Sequence, residues 1–192
     1  DNGSVVGPRA KLMVNCMRTS KFNILGLQEA HLSKGIRCID NIVCASSGYE
    51  NWKLGTSVWI DCLLPFTIMS DDGSSVPGYV DPMTVVIMFC NPRYICVSYV
   101  LCGITMYAMS IHSPDGNKGF EVIQEFWKEI SKLIKLHRIV LCRLTVSSDL
   151  NQKFGSKPSE VFGNVSPDKE CRIATIIHDA LRALHMFAPV TF

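Results

Sequence analysis

The sequence predicts a mixed α/β (α+β) fold, a sandwich of β-sheets with helices on the outside. Apolar runs of strand length outnumber the helical patterns, and the helical patterns alternate with them along the chain. Hydrophobic residues make up 47% of the 192 residues, which is ample for a core. Because roughly 100–200 residues per domain is usual, we expect residues 1–192 to form a single domain.

The first elements are a helix and three strands. A helix is expected from Pro8 because apolar residues recur on one stripe. This stripe consists of Ala10, Met13, Val14 and Met17. Residues 22–27 read as a short buried strand, and residues 42–44 and 56–60 as two more. Residues 71–78 are a loop by composition, since they are rich in Asp, Gly, Ser and Pro.

The middle of the chain predicts three consecutive strands. They span residues 84–89, 94–100 and 104–111. Asn91-Pro92-Arg93 forms the first turn, with proline suited to position i+1. The apolar stretch 94–111 is broken at Leu101-Cys102-Gly103 like a tight turn. Two buried strands therefore fit better than one membrane-spanning helix, which needs about 20 apolar residues.

Two helices and a strand complete the pattern. The clearest helix spans residues 120–136, where apolar residues recur at three- and four-residue steps. Residues 139–146 predict a strand that leads to Asp149. Ser166-Pro167 reads as an N-cap followed by proline at the first helical position. The buried stripe of this last helix is Ile173, Ile176, Ile177, Ala180, Leu181 and Leu184.

The charge of the chain bears on whether it binds nucleic acid. The net charge is +2, so no global basic field indicates nucleic acid. A local cluster from Lys128 to Lys157 carries seven basic residues against Glu129 and Asp149. It could face a polyanion, or it could be the solvated face of a helix.

The nine cysteines are odd in number and include no Cys-x-x-Cys pair. They favour free thiols in a reducing, intracellular setting, without a disulfide-linked partner. No charged-then-apolar leader opens the chain, so we expect neither a signal peptide nor a membrane partner. Because the first residue is Asp1 rather than methionine, the chain is expected to be a piece of something longer or a processed product. Its oligomeric state is left open.

Polar groups stand where predicted strands give way to loops. Glu29 follows one apolar run, His112 closes another, and Asp149 and Asn151 follow a third. If these strand ends share one edge of the fold, carboxylates and amides converge there, as Mg²⁺ and a phosphate require. Each group also has an ordinary alternative. Glu29 could be a surface residue, Asp149 and Asn151 an Asx-rich turn, and His112 a structural histidine.

Other catalytic signatures are missing from the sequence. It contains no Gly-x-Ser-x-Gly elbow, no phosphate-binding Gly-x-x-x-x-Gly-Lys loop and no Gly-x-Gly-x-x-Gly. His178 and His185 are seven residues apart and lack a zinc-ligand pattern, so packing or surface roles are expected for both.

The ordered motifs resemble the endonuclease/exonuclease/phosphatase superfamily. They are Leu27-Gln28-Glu29, then His112-Ser113-Pro114, then Asp149-Leu150-Asn151 followed by Gly155-Ser156. More narrowly, the chain is similar to the endonuclease domain of LINE-type non-LTR retrotransposons. The segment from Leu184 to Phe192, with its Pro-x-Thr-Phe end, also resembles these domains. The resemblance runs from about Arg9 to the last residue and implies a DNase I-like two-sheet sandwich flanked by helices.

The resemblance also implies residue roles. Glu29 would ligate Mg²⁺, or Mn²⁺ in its place. Asp149 would orient or deprotonate the attacking water, Asn151 would hold the scissile phosphate, and His112 would contact that phosphate. Asp115 is a further possible phosphate contact. DNA is the implied partner, and the implied location is intracellular, and nuclear for a retroelement protein.

The chain also departs from the family pattern. No strand carrying the family's metal-supporting asparagine precedes Glu29, and the final Ser-Asp-His of the family is not found. Ser148 stands where glycine is usual. We therefore expect a copy truncated at both ends, a Mg²⁺-dependent DNA-nicking endonuclease that is weakened or inactive. The alternatives are a non-catalytic remnant that binds nucleic acid or protein, and a sugar- or lipid-phosphate phosphatase.

Overall fold

The structure is a computed structural model that describes residues 8–50, 54–69, 72–151 and 173–186. These residues form three α-helices and ten β-strands. The helices are α1 (Pro8–Ser20), α2 (Phe120–Leu136) and α3 (Ala174–Ala183). The strands are β1 (Ile24–Gln28), β2 (Gly35–Ile39), β3 (Ile42–Ser46), β4 (Thr56–Asp61), β5 (Phe66–Met69), β6 (Ser75–Gly78), β7 (Val86–Asn91), β8 (Tyr94–Leu101), β9 (Ile104–His112) and β10 (Leu144–Asp149). The mixed α/β class predicted from the sequence is confirmed.

The chain divides into two compact units. Unit 1 comprises Asp1–Ile111 and Leu144–Ser148, and unit 2 comprises His112–Arg143 and Asp149–Phe192. The last residue of β9, His112, and the last residue of β10, Asp149, therefore belong to unit 2. The expected single domain over residues 1–192 stays a prediction.

Unit 1 is built on two four-stranded sheets. Their strand orders are β1-β4-β3-β2 and β10-β9-β8-β7, and β5 and β6 form a separate two-stranded ribbon. The β1–β4, β2–β3 and β3–β4 pairs are antiparallel, as are β7–β8 and β8–β9. Two of the hairpins turn on two residues with positive φ, Asp40-Asn41 and Cys102-Gly103. This is the geometry of tight hairpins whose twist matches that of the strands.

The core of unit 1 lies between the two sheets. Apolar side chains from β3, β4, β8 and β9 form one buried cluster, which includes Val58, Ile60, Ile95 and Val97. A second cluster joins α1 to the first sheet, where Val14 and Met17 pack with Ile42, Cys44 and Trp59. The predicted stripe of α1 is thus confirmed.

Unit 2 contains the amphipathic helices α2 and α3, which pack against each other. The predicted bounds of α2 are confirmed at both ends, and its stripe is buried at Ile123, Phe126, Trp127, Ile130 and Ile134. In α3 the buried residues include Ile176, Ile177 and Leu181. The predicted N-cap at Ser166-Pro167 lies outside the described residues, as do Lys153, Lys157, Gly155-Ser156 and the segment after Met186.

Two predicted strand starts are wrong for the same physical reason. Phe22 and Ile139 were expected to open strands, which instead begin at Ile24 and Leu144. Their backbone N–H groups donate back to Met17 and Ile134, five residues earlier, with Lys21 and Arg138 at positive φ. These are Schellman caps, in which an apolar residue closes the end of a helix. Both caps form without the usual glycine, so the sequence gives little sign of them.

The predicted loop 71–78 also needs correction. Its second half, Ser75–Gly78, is β6, paired antiparallel with β5. Pro77 is tolerated because a two-stranded ribbon leaves one side of the strand without a hydrogen-bonding partner. A Cβ on Gly78 would lie 2.4 Å from Ile68 Cδ1, so a larger residue at this position would require the Ile68 side chain to shift. The predicted strand at residues 84–89 starts later, at Val86, after a 3₁₀ turn over Pro82–Thr84.

Among the described residues no helix is both long and apolar enough to cross a membrane. The stretch that raised the question, residues 94–111, forms the predicted strands β8 and β9. The eight cysteines in the described part of the chain are all free thiols, as expected.

Candidate functional site

Glu29 lies one residue beyond the end of β1, in unit 1. Its φ of 54° is in the left-handed region, which glutamate adopts only at some cost. The side chain is exposed, and among the described residues no hydrogen bond or ion pair to its carboxylate is found. The next residue anchors the backbone, because the Ala30 N–H donates to the Gly55 carbonyl at 3.0 Å. The carboxylate is thus held at a fixed strand end with its oxygens available.

The end of β1 is fixed by a hydrogen-bond network that sequence reasoning missed. Gln28 Nε2 donates to Ser110 Oγ at 3.1 Å, and Ser110 Oγ donates to the Leu27 carbonyl at 3.1 Å. Ser110 is on β9 and is fully buried. One hydroxyl therefore ties β1 of the first sheet to β9 of the second. The available signal was a single serine inside the apolar run of β9.

A glycine brings the two sheets close together beside this network. A Cβ on Gly26 would lie 2.3 Å from Ser147 Cβ and 3.3 Å from Ser110 Cβ. Real side chains do not approach so closely, so β1 can lie against β9 and β10 only with glycine at this position. Gly26 was not a predicted site residue, and its place inside an apolar strand was the available signal.

In unit 2, the loops after β9 and β10 are hydrogen-bonded to each other. The Ser113 N–H donates to the Asp149 carbonyl at 2.9 Å, and Asn151 Nδ2 donates to the Ser113 carbonyl at 2.8 Å. Ser113 is fully buried, and both bonds use its backbone. The structure therefore brings Asp149 and Asn151 together with the His112–Asp115 segment. The role of Ser113 was also missed, because a backbone contact leaves no side-chain pattern in a sequence.

Asp149 and Asn151 form the Asx turn that the sequence left open as an alternative. Asp149 Oδ1 accepts the Asn151 N–H at 3.0 Å, and Asn151 has a φ of 52°. Asparagine tolerates this backbone region better than most residues. The turn does not use up either side chain, because a carboxylate has about four acceptor positions and the Asn151 amide keeps one N–H and its oxygen. Both roles are compatible at these residues.

His112 and Asp115 differ in their access to solvent. His112 is 8% exposed, whereas Asp115 is exposed and precedes a 3₁₀ turn over Gly116–Lys118. The Asp115 carbonyl accepts the Lys118 N–H at 2.9 Å, which fixes the backbone at this point. The predicted phosphate-contacting roles of both residues stay predictions, as does the meeting of Glu29 with the unit 2 residues.

The described residues include no group of three or more His, Cys, Asp or Glu side chains arranged to hold a metal ion. Mg²⁺ usually keeps several waters and binds through only one or two carboxylates. The exposed, unbonded carboxylate of Glu29 has the oxygen chemistry for such a water-rich site. Glu29 is therefore the one candidate ligand among the described residues, and it suits Mg²⁺ by the type of its ligand atoms.

Among the described residues, the groups whose pKa values are raised lie in unit 1. Burial raises the pKa of the Cys44 and Cys96 thiols to about 12 and that of Cys62 to about 11. Burial also raises the pKa of Tyr99 to about 12. Since a thiolate and not a thiol is the nucleophile, these cysteines are packing residues.

No protein-family model matches the chain, and no curated protein matches it. Among solved structures, it is similar to "Endonuclease domain of TRAS1, a telomere-specific non-LTR retrotransposon", with a TM-score of 0.54 and 15% sequence identity. The match covers 91% of this chain but 64% of the other, so this chain spans less than two thirds of its length. The DNase I-like fold expected from the motifs is confirmed, and the chain has the fold of a retrotransposon endonuclease domain.

Proposed function

We propose that this chain is a divalent-metal-dependent phosphodiesterase domain of the DNA-nicking kind. The observation that carries the proposal is the loop pair of unit 2, in which Asp149 and Asn151 are bonded to the segment that follows β9. The fold shared with a retrotransposon endonuclease domain supports the nuclease class. DNA is the proposed partner, and Mg²⁺ or Mn²⁺ is the proposed cofactor. An intracellular location, nuclear in a retroelement protein, belongs to the same proposal.

Each site residue has a defined part in this reaction. Asp149 orients the attacking water and takes its proton while the new oxygen–phosphorus bond forms and the bond from phosphorus to the leaving deoxyribose oxygen breaks. Asn151 holds the scissile phosphate with the amide hydrogen that its bond to Ser113 leaves over. His112 and Asp115 are the remaining candidate phosphate contacts. Glu29 would hold the metal ion, which when bound supplies electrostatic stabilisation of the phosphoryl charge.

The test is nicking of supercoiled plasmid in Mg²⁺, with EDTA as the metal-free control. Asp149→Asn removes the negative charge but keeps an oxygen that can accept the Asn151 N–H. We expect nicking to fall by about 100-fold or more, the usual contribution of a positioned acid or base. Glu29→Gln should weaken nicking most at low Mg²⁺, because it removes the metal-binding charge.

Asp72→Asn is the matched control. Asp72 Oδ1 accepts the Ser74 N–H at 2.9 Å, which repeats the turn geometry of Asp149 at a position without a proposed role. This variant should nick at the full rate. Nicking that survives Asp149→Asn refutes the assigned site. Wild-type protein that binds DNA but does not nick it refutes the activity.

The second candidate function is a non-catalytic module that keeps the scaffold and binds nucleic acid or a protein. It is favoured by the structural bonds of Asp149 and Asn151, which give both residues a reason to be present without catalysis. DNA binding that weakens as salt rises, without cleavage, would support it, because phosphate contacts release counterions. Equal affinities of wild-type protein and Asp149→Asn would agree with this reading.

A further inference from the structure

Helices α2 and α3 of unit 2 enclose an open groove of about 620 Å³. Its apolar lining is provided by Trp127 and Phe120 on α2 and by Ile176, Ala180 and Ala183 on α3. Ala180 and Ala183 contribute only small side chains to this lining. A groove of this volume is within the usual range of ligand pockets, roughly 300–1,000 Å³.

The α2 side of the groove is lined with lysine. Lys128, Lys132 and Lys135 all line it, and they recur at four- and three-residue steps along one helix edge. Lys128 Nζ lies 4.0 Å from Glu125 Oε2, and both side chains are largely exposed, so this ion pair is weak. No ion pair is found for Lys132 or Lys135 within the part of the chain that the structure describes. These three residues belong to the basic cluster that the sequence left unexplained.

The residues lining the groove carry little negative charge. Asp179 of α3 is the acidic residue among those lining the groove, and it already pairs with Arg182 at 3.1 Å. The groove therefore joins an apolar floor to an edge with excess positive charge. Trp127 contributes an apolar ring surface to this floor, since its indole N–H is buried.

We infer that this groove binds an amphipathic helical segment of a partner protein that carries acidic residues along one edge. A hydrophobic groove is a recurring binding site for the apolar face of an amphipathic helix. Carboxylates of the partner would face the three lysines, and its apolar face would cover the floor. A nucleic-acid backbone would complement the lysines but not the apolar floor, so a peptide is the better match.

The experiment selects peptides from a displayed library of random 16-residue sequences against the full chain. Enriched peptides are then synthesised with a fluorescent label and titrated by anisotropy. We expect apolar residues at three- and four-residue steps flanked by Asp or Glu. A labelled DNA duplex is titrated in parallel to test the nucleic-acid alternative.

Two groove variants and one matched control decide the outcome. Ala180→Leu fills the floor and Lys132→Glu reverses the edge charge, and each should weaken peptide binding about tenfold or more. Lys11→Glu, on the exposed face of α1, makes the same charge change on another helix and should leave the affinity unchanged. Circular dichroism checks that all three variants are folded.

The inference is overturned if no peptide is enriched, if the enriched peptides lack acidic residues, or if they bind Ala180→Leu as well as wild type. It is also overturned if Lys132→Glu weakens DNA binding while peptide binding is unaffected. None of these outcomes depends on nicking activity.

Discussion

The strand ends at Glu29 and at Asp149–Asn151 resemble each other in backbone but differ in how they are held. Glu29 and Asn151 both have left-handed backbone, with φ of 54° and 52°. At Glu29 the neighbours provide the anchoring, through Gln28, Ser110 and the Ala30 N–H. At the second end the candidates themselves provide it, through the Asx turn and the bond to Ser113.

This difference teaches that the two ends need different experiments. A candidate whose side chain makes no structural bond can be replaced without disturbing the fold, so a loss of activity reports on chemistry. A candidate that also anchors a loop confounds chemistry with folding. Substitutions at Asp149 and Asn151 must therefore preserve one bond while removing another, whereas Glu29 can be tested directly.

The largest expected effect is a loss of stability at alkaline pH. It concerns the core of unit 1, which supports the strand end at Glu29. Below pH 9 the buried Cys44 and Cys96 are neutral in both folded and unfolded chains. Between pH 9 and about 12 they ionise only when unfolded, so stability falls as pH rises. Each thiol contributes about 1.4 kcal/mol per pH unit to the slope. Urea unfolding at a series of pH values measures it.

Cys96→Ala provides the control for this prediction. It removes one titrating thiol, so the free energy of unfolding of the variant should fall less steeply above pH 9 than that of wild type. In the part of the chain that the structure describes, the raised pKa values belong to unit 1, so the Trp59 environment should be lost at lower pH than the Trp127 environment of unit 2. If both tryptophan environments are lost at the same pH, the predicted difference in alkaline stability between unit 1 and unit 2 is wrong.

The second prediction concerns the close approach that holds β1. Gly26→Ala places a Cβ 2.3 Å from Ser147 Cβ, so the sheets must move apart. We expect a loss of about 1–3 kcal/mol in the free energy of unfolding, the usual range for overpacking. The double variant Gly26→Ala/Ser147→Gly removes the clash and should recover most of the loss. Additive effects in this double-mutant cycle would contradict the proposed contact.

The third prediction tests the double role of Asn151. Asn151→Gly keeps the left-handed backbone but loses the bond to Ser113, which should cost about 1 kcal/mol. Asn151→Ala loses the bond and strains the backbone, and should cost about 1 kcal/mol more. Asn41→Gly is the matched control, because Asn41 has a φ of 69° in a hairpin turn and no side-chain bond among the described residues. Thermal or urea unfolding of all three variants gives the comparison.

The fold was largely predictable because it rests on periodicity. The stripe of α2 and the apolar runs of β8 and β9, broken at a tight turn, give the bounds of these elements nearly residue for residue. The boundaries between consecutive elements were not predicted. Lys21 and Arg138 adopt the positive φ that is usual for glycine. Without a glycine to mark them, the helix caps were predicted as the first residues of strands. Strand β2 was not predicted for a similar reason. The hairpin turn that joins it to β3 is Asp40-Asn41, which contains no glycine.

The candidate site was only partly predictable. Its charged and amide side chains stand out in the sequence, and Asp149 and Asn151 do lie together with the segment after His112. The groups that hold them do not stand out. Ser113 acts through its backbone, Ser110 through one buried hydroxyl, and Gly26 through the absence of a side chain. None of these contributions follows from local sequence, because each depends on a strand far away in the chain.

The smallest expected effect is at Glu29, and it is the sharpest test of the comparison. Glu29→Ala should change the free energy of unfolding by no more than about 0.5 kcal/mol, because the side chain makes no structural bond among the described residues. Glu29→Gly should be neutral or slightly stabilising, since relief of the left-handed backbone is opposed by the greater freedom of glycine in the unfolded chain. Both variants should lose Mg²⁺-dependent nicking. If Glu29→Ala instead destabilises the protein by more than about 1 kcal/mol, this carboxylate is also an anchor, and the two strand ends are held in the same way.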